Sequence, residues 1–264
     1  MKKILHLTHT DIRSDSRILK EMQSAITNGY SVYGIGIRLS EGSTASNVDL
    51  DNVTALNIRS KRLVFLPDFL RHFFTLIEFF FKTVVIAVKV RADIVHCNDT
   101  LVLPVGCIIK VLTRARLVYD AHELESNRNG LSPLLGKMTL LAEKFCWSLI
   151  DGLVVVSPSI EAWYQREVGS KRSIVVLNSP VYDATSLCEG NDYLRERFQI
   201  TQDSKIFIYV GILGEGRGID LITKSFESNP QSHVVFLGYG EYREKLDTLC
   251  ARSANIHIHE AVEH

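Results

Sequence analysis

The chain has 264 residues, 46% of them hydrophobic, enough for one large domain or two medium ones with a proper core. Thirty basic and thirty acidic residues cancel, so bulk charge does not call for nucleic acid as a partner. Five scattered cysteines, Cys97, Cys107, Cys146, Cys188 and Cys250, show no CxxC or Cys/His ligand spacing. That argues against a disulfide framework or structural zinc, and for a reducing cytoplasm.

The opening MKKILHLTHT has lysines, but its short apolar stretch alternates with His6, Thr8 and His9. It reads as a first strand rather than a signal peptide. The turn that follows, THTDIRSDSRILKE, has no glycine and makes a poor nucleotide cradle. Ser14 or Ser16 suits a helix N-cap and Asp15 a positive helix end, while Asp15 and Arg17 are also candidates to reach into a cleft. Ile18, Met22, Ala25 and Ile26 share one face of the next helix.

Strands at 31–37 and 53–58 lead to the aromatic segment 61–91, where Asp68, Arg71, Glu78, Lys82 and Lys89 interrupt any run long enough to span a membrane. Two readings stand: a long core helix with a solvated basic edge, or a helix lying on an anionic membrane surface or meeting a lipid-linked acceptor. From the strand 93–97 emerge His96, Asn98 and Asp99, a case parallel to VYDAHE, with Asp99 serving either a ligand or the cap of the next helix. The strand 116–120 runs into VYDAHE, which sets Asp120, His122 and Glu123 directly after a buried strand. A histidine there suits proton transfer or a hydrogen bond to a sugar hydroxyl, and equally a hydrogen bond at the sheet margin. Leu134, Met138, Leu141, Phe145 and Leu149 line one face of a later helix, and strands follow at 152–156 and 173–177.

The polar stretch 179–192 lacks periodicity and divides residues 1–180 from 181–264. Beyond it come strands at 205–211, 233–238 and 255–259. GILGEGRG at 211–218 links a strand to a helix. Gly211, Gly214, Gly216 and Gly218 allow close backbone approach, and Arg217 is placed to fork onto phosphate oxygens. The spacing is neither GxGxxG nor a Walker loop, so an ordinary strand–helix turn with a surface arginine remains the alternative. GYGE at 238–241 reads as a tight turn before a helix. The whole alternation implies a doubly wound α/β fold of parallel sheets, with ligands beyond the carboxyl ends of the strands. A second sheet of only three strands would leave an edge and apolar surface exposed.

Taken in order, DIRSDSRILKE, GYSV, ADIVHCND, LVYDAHE, DGLVVVSPSI, VVLN, YVGILGEGRGIDLI, VVFLGYGE and IHIHEAV resemble the retaining glycosyltransferases of family 4. The similar branch is the one whose histidine motif reads YDxHE, and the resemblance runs over essentially the whole chain. It implies a GT-B fold, two Rossmann-like domains facing one another, with acceptor mainly on the first and sugar nucleotide mainly on the second. Residues 181–264 would be the first part of the second domain. His122 matches the family histidine beside the transferred sugar. Arg217 stands where the family usually has a lysine on the donor diphosphate, and Ile212 where a second basic residue often follows the first glycine. Val262 matches a region that touches the nucleobase, and Asp15, Arg17, Asn98, Asp99 and Glu123 fall on the acceptor side.

The implied activity is transfer of a hexose from a nucleotide-diphosphate sugar to a glycan or lipid-linked acceptor with retention, in cell-surface polysaccharide biosynthesis. It would take place in the cytoplasm or at the inner face of the membrane, with no metal and no cofactor besides the donor. Family members continue into a two-glutamate motif and a helix that crosses back, so the expectation is a truncated enzyme with little activity alone. A nucleotide-sugar epimerase fits the motif order less well. An alternative of another class is a non-catalytic GT-B-like membrane-docking or scaffold subunit whose partner supplies the donor site.

Overall fold

The structure is a computed structural model that describes residues 1–38, 52–128, 131–179 and 192–262. Cys188 and nearly all of the stretch 179–192 lie outside the described residues. The chain divides into two compact units, Met1–Pro180 and Val181–His264.

In the first unit, runs rich in β-branched residues form seven parallel strands. These are β1 (Lys3–Leu7), β2 (Ser31–Ile37), β3 (Val53–Leu56), β4 (Ile94–Asn98), β5 (Arg116–Ala121), β6 (Gly152–Val155) and β7 (Ser173–Val175). They lie in the order β3-β2-β1-β4-β5-β6-β7, so the chain reverses direction beside β1, and strand ends β1, β4 and β5 flank that switch point. The helices are α1 (Ser16–Thr27), α2 (Asp68–Val90), α3 (Leu103–Thr113), α4 (Pro133–Cys146) and α5 (Pro158–Glu167).

Register separates the two faces of the sheet. His6 pairs with His96 and Asn98 with Asp120, and His96 is two residues from Asn98, so all four share the face covered by α1. Leu5, Leu7, Val95, Cys97, Leu117 and Tyr119 point to the opposite face, into the main core beneath α2, α3, α4 and α5. The result is one apolar face and one face that becomes polar toward the strand ends.

Helix α4 corrects a simple periodicity reading. Its apolar stripe, Leu134, Met138, Leu141 and Phe145, faces solvent. Gly136, Glu143 and Cys146 are the buried residues. The Glu143 carboxylate accepts hydrogen bonds from the hydroxyls of Tyr119 at 2.7 Å and Tyr164 at 2.6 Å, which satisfies a group otherwise costly to bury. Burial outweighs these bonds and raises its pKa. Helix α2 packs as a core helix along one side, where Phe79, Thr83 and Ala87 are buried, whereas Phe81 and Val85 are exposed. No helix among the described residues is long and apolar enough to cross a membrane.

The second unit comprises α6 (Tyr193–Phe198), β8 (Lys205–Val210), α7 (Ile219–Glu227), β9 (Ser232–Leu237), α8 (Arg243–Cys250) and β10 (Ile256–His259). Its three parallel strands run β10-β9-β8. Leu213, Ile219, Val234, Phe236, Leu246 and Ile256 form its core. The edge strand β8 exposes Phe207, Ile208 and Val210, the uncovered apolar edge that a three-stranded sheet leads one to expect.

Candidate functional site

Asp15, rather than Ser14 or Ser16, caps α1: its side chain accepts hydrogen bonds from the backbone N–H groups of Arg17 and Ile18. The cap fixes the first turn, and Ile18 and Met22 seat the helix on the sheet. Arg17 is thereby directed beneath the helix. Its guanidinium forks onto Asp120, with Nη2 3.0 Å from Oδ1 and Nε 3.3 Å from Oδ2, and Nη1 donates to the Val176 carbonyl at 3.1 Å. Glu21, one turn on, lies 3.2 Å from Arg17 Nε. Arg17 is thus a buried anchor of the strand ends rather than a side chain extended into a cleft.

Around Asp120, which has no exposed surface, three further groups converge. His122 Nε2 is 3.3 Å and His96 Nε2 3.7 Å from Asp120 Oδ2, and the His6 and His96 rings lie 4.7 Å apart. Asp99 does not cap the following helical turn. Its carboxylate instead lies 3.1 Å from His9 Nδ1. Its backbone sits at φ 89°, a conformation that costs a non-glycine residue energy and recurs at functional sites. Asn98 donates to the Leu7 carbonyl, while Glu123 is exposed and Glu125 is buried.

Buried polar atoms normally find partners. Here, nitrogens of His6, His9, His96 and His122, both Glu21 carboxylate oxygens and the Asn98 oxygen are buried without an aligned hydrogen bond. Among the described residues only Thr83 and Glu143 supply such atoms elsewhere. Among the described residues, buried polar atoms without an aligned hydrogen bond are therefore concentrated at the carboxyl ends of β1, β4 and β5.

The protonation pattern follows from the same contacts. For Asp120, burial disfavours the charge, but contact with His122 and His96 outweighs it and holds the pKa below the usual carboxylate range. His122 is the complement. Burial opposes its proton, yet the contact with Asp120 and the charges of Asp120 and Asp99 prevail, and its pKa is raised. Glu21 rises to about 7, chiefly by burial and despite His96. Glu125 also rises to about 7, by burial and then the Asp99 charge. His6, fully enclosed and beside His96, is held well below the usual histidine range.

Two ligand-like triads, His6–Glu21–His96 and Glu21–Asp120–His122, are compact enough to surround a metal ion. The guanidinium of Arg17 already lies on both Glu21 and Asp120, and its charge competes directly with a cation for those carboxylates. The arrangement is suited to holding a ring and moving or donating protons.

The sequence pointed to His96, Asn98, Asp99, Asp120 and His122 but missed His6, His9, Glu21 and Glu125. The i, i+4 spacing of Arg17 and Glu21 was the available signal for Glu21. For His6 and His9 the signal was only their place at the end of β1.

In the second unit, residues 211–218 form an open loop in which Gly216, Arg217 and Gly218 are exposed and Gly214 is buried. Gly218 is the N-cap of α7 at φ 72°, a left-handed conformation natural to glycine. The loop is fixed from the side by the turn after β9. Leu213 N–H donates to the Tyr239 carbonyl, Tyr242 N–H donates to the Leu213 carbonyl, and a Cβ at Gly238 would collide with the Gly211 carbonyl. GYGE is thus a tight turn with a structural task, bracing the glycine loop. Val262 is exposed beyond β10.

The model of the "Glycosyl transferase 4-like domain" family matches residues 35–179, more than half of the chain. An uncharacterized glycosyltransferase of Methanocaldococcus jannaschii is 24% identical over 215 residues, which are 76% of this chain and 54% of that protein. The chain spans about half the length of this curated relative. Among solved structures, sucrose-phosphate synthase of Thermosynechococcus elongatus has a TM-score of 0.75 at 17% identity, covering 100% of this chain and 71% of that one. HepE of Anabaena, solved with UDP-glucose, has a TM-score of 0.66 at 14% identity, covering 100% and 70%. The catalytic domain of starch synthase IV of Arabidopsis thaliana, bound to ADP and acarbose, has a TM-score of 0.65 at 13% identity, covering 100% and 74%. At these identities the likenesses establish fold, which is GT-B.

Proposed function

This chain belongs to the glycosyl transferase 4-like family, and from that premise we propose that it acts in transfer of a hexose from a nucleotide-diphosphate sugar, with retention of anomeric configuration. The acceptor is a glycan or lipid-linked sugar of a cell-surface polysaccharide, and residues 61–91 contact the membrane that presents it. The single observation that carries the reading is the concentration, around His122 at the ends of β1, β4 and β5, of buried polar atoms that lack an aligned hydrogen bond, several of them held only in ion-pair contacts. A sugar is rich in hydroxyls that both donate and accept, and such a ligand supplies what these atoms lack.

In this reading His122 is the sugar-side residue. Asp120 orients its ring and favours its protonated form, and Arg17 holds the Asp120 carboxylate in place. A protonated imidazole donates to a donor-sugar hydroxyl and stabilises negative charge nearby. Asn98 and Asp99 border the same strand ends, and Glu123 is available to an acceptor. Gly211, Gly214, Gly216 and Gly218 allow the donor diphosphate to approach the backbone, and Arg217 forks onto it; the first-turn N–H groups of α7 add positive potential. Val262 serves the nucleobase. Charge on the leaving diphosphate is thus met by Arg217 and the helix, with no resident metal or cofactor assigned.

Support comes from the ligands named with two structural neighbours, UDP-glucose for HepE and ADP with acarbose for starch synthase IV. A thermal-shift panel of UDP-, GDP- and ADP-sugars tests the assignment. One nucleotide series is expected to raise Tm, less so in Arg217→Gln, and stabilisation by none of them would contradict it.

A further inference from the structure

Two helices of the first unit end in an uncommon way. Arg91, the C-cap of α2, has φ 51° and ψ 55°, and Arg114, the C-cap of α3, has φ 62° and ψ 20°. This left-handed region crowds the Cβ of any residue but glycine, and glycine is the usual choice at such helix ends. Helix α1 follows the usual pattern, with Gly29 at φ 80° just beyond its cap. Among the described residues four that are not glycine have positive φ. One is Asp99 of the candidate site, and two are these arginines.

Helix-end electrostatics does not account for them. A cation near a helix carboxyl end offsets its negative potential, but a side chain within the last turn does this at no backbone cost. Lys89 and Lys110 already occupy the last turns of α2 and α3. Each arginine closes its helix through its backbone, Arg91 N–H donating to the Ala87 carbonyl and Arg114 N–H to the Lys110 carbonyl. A glycine would make the same bonds without the strain. What arginine adds is the guanidinium, and among the described residues neither guanidinium has a hydrogen-bond or ion-pair partner. Strain retained for the sake of a side chain points to a task for that side chain.

Both arginines line one cavity of about 430 Å³, set between the ends of α2 and α3 and the residues that lead into β4 and β5. That volume suits a small molecule. Its other polar side chains are Thr113 and Asp93. The Thr113 hydroxyl is already engaged, donating to the Ile109 carbonyl at 2.7 Å. Asp93 Oδ2 accepts the Lys3 backbone N–H at 2.7 Å, and the carboxylate forms no ion pair with either guanidinium among the described residues. Two unpaired guanidiniums are suited to fork onto phosphate oxygens, while a carboxylate beside them accepts from a hydroxyl. We propose that this cavity is a second binding site, for a small phosphorylated molecule that carries hydroxyls. Arg91 and Arg114 hold the phosphate and Asp93 a hydroxyl. The cavity lies before the first residues of β4 and β5, whereas Asp99 and His122 lie beyond the last ones. Its ligand is therefore additional to the donor and acceptor of the transferase reading, and the inference does not rest on that reading.

Amide NMR of the 264-residue protein titrated with inorganic phosphate, and separately with ribose 5-phosphate, tests it. Both probes are expected to shift the amides of residues 91–93 and 113–116, with ribose 5-phosphate binding more tightly. Asp93→Asn should remove most of that advantage. Arg91→Gly with Arg114→Gly keeps the closing N–H groups and relieves the left-handed strain, so Tm is expected to hold or rise. The same variant should weaken phosphate binding about tenfold or more, and Arg91→Lys with Arg114→Lys should restore part of it. No response of these amides in the wild type, or a response confined to 211–218, would overturn the inference. Phosphate binding at wild-type strength in the glycine variant would also overturn it. So would a marked fall in its Tm, which would make the two arginines structural.

Discussion

The end of β5 and the loop 211–218 are both strand-to-helix turns, yet they are built in opposite ways. Asp120 is fully buried under a forked arginine, with His122 and His96 against it. Arg217 stands exposed between two exposed glycines. The first region is assembled before any ligand arrives, at the expense of burying charge; the second holds its backbone in place and leaves its one cation exposed. A ring that must be oriented and kept protonated needs a rigid partner. A phosphate contact needs mainly charge and reach.

The largest separation between the two regions is expected in stability. Asp120→Asn removes the fully buried one of the two carboxylates on the Arg17 guanidinium and should cost about 3–5 kcal/mol in denaturant unfolding. Arg217→Gln should change it by less than about 0.5 kcal/mol. Equal effects would erase the contrast.

The pH dependence should also belong to the first region. Glu21 and Glu125 are raised from an ordinary 4.5 to about 7, so the folded state holds their protons more tightly than the unfolded state does. That contribution is complete below about 4.5 and is lost as pH rises through about 7, on the order of 3 kcal/mol for Glu21. Glu21→Gln should flatten this part of the pH–stability curve, as read from urea midpoints between pH 4.5 and 7.5. A slope unchanged by the substitution would remove Glu21 from the account.

Nucleotide binding should reverse the ranking. Arg217→Gln is expected to weaken binding of a nucleoside diphosphate by about 1.5 kcal/mol, roughly tenfold in Kd by titration calorimetry. A smaller effect than the loss of nucleotide binding is expected at Gly218. Its φ of 72° makes Gly218→Ala cost about 1 kcal/mol, and a stabilised Gly218→Ala variant would contradict the turn geometry.

The same contrast explains what was legible in the sequence. Parallel strands were readable because continuous runs such as LVV at 153–155 and VVF at 234–236 have few other folded uses. His122 was readable because VYDAHE places it beside a strand end. Arg17 was not, because its partner Asp120 lies 103 residues away and no local pattern tells a capped helix which way its arginine turns. Helix α4 failed for a related reason. Periodicity reveals an apolar stripe but not its direction, and two distant tyrosines give Glu143 reason to face inward.

The central claim is that His122 serves the sugar and Arg217 the diphosphate of a nucleotide sugar. Nitrogen-15 histidine NMR, with His122 assigned by His122→Gln, tests it directly. The free nucleoside diphosphate should perturb the 211–218 amides and leave the His122 ring nearly unchanged. The matching nucleotide sugar should shift the ring as well, in its protonated form. A bound nucleotide sugar that moves the 211–218 amides but leaves His122 where the diphosphate alone leaves it would contradict the account.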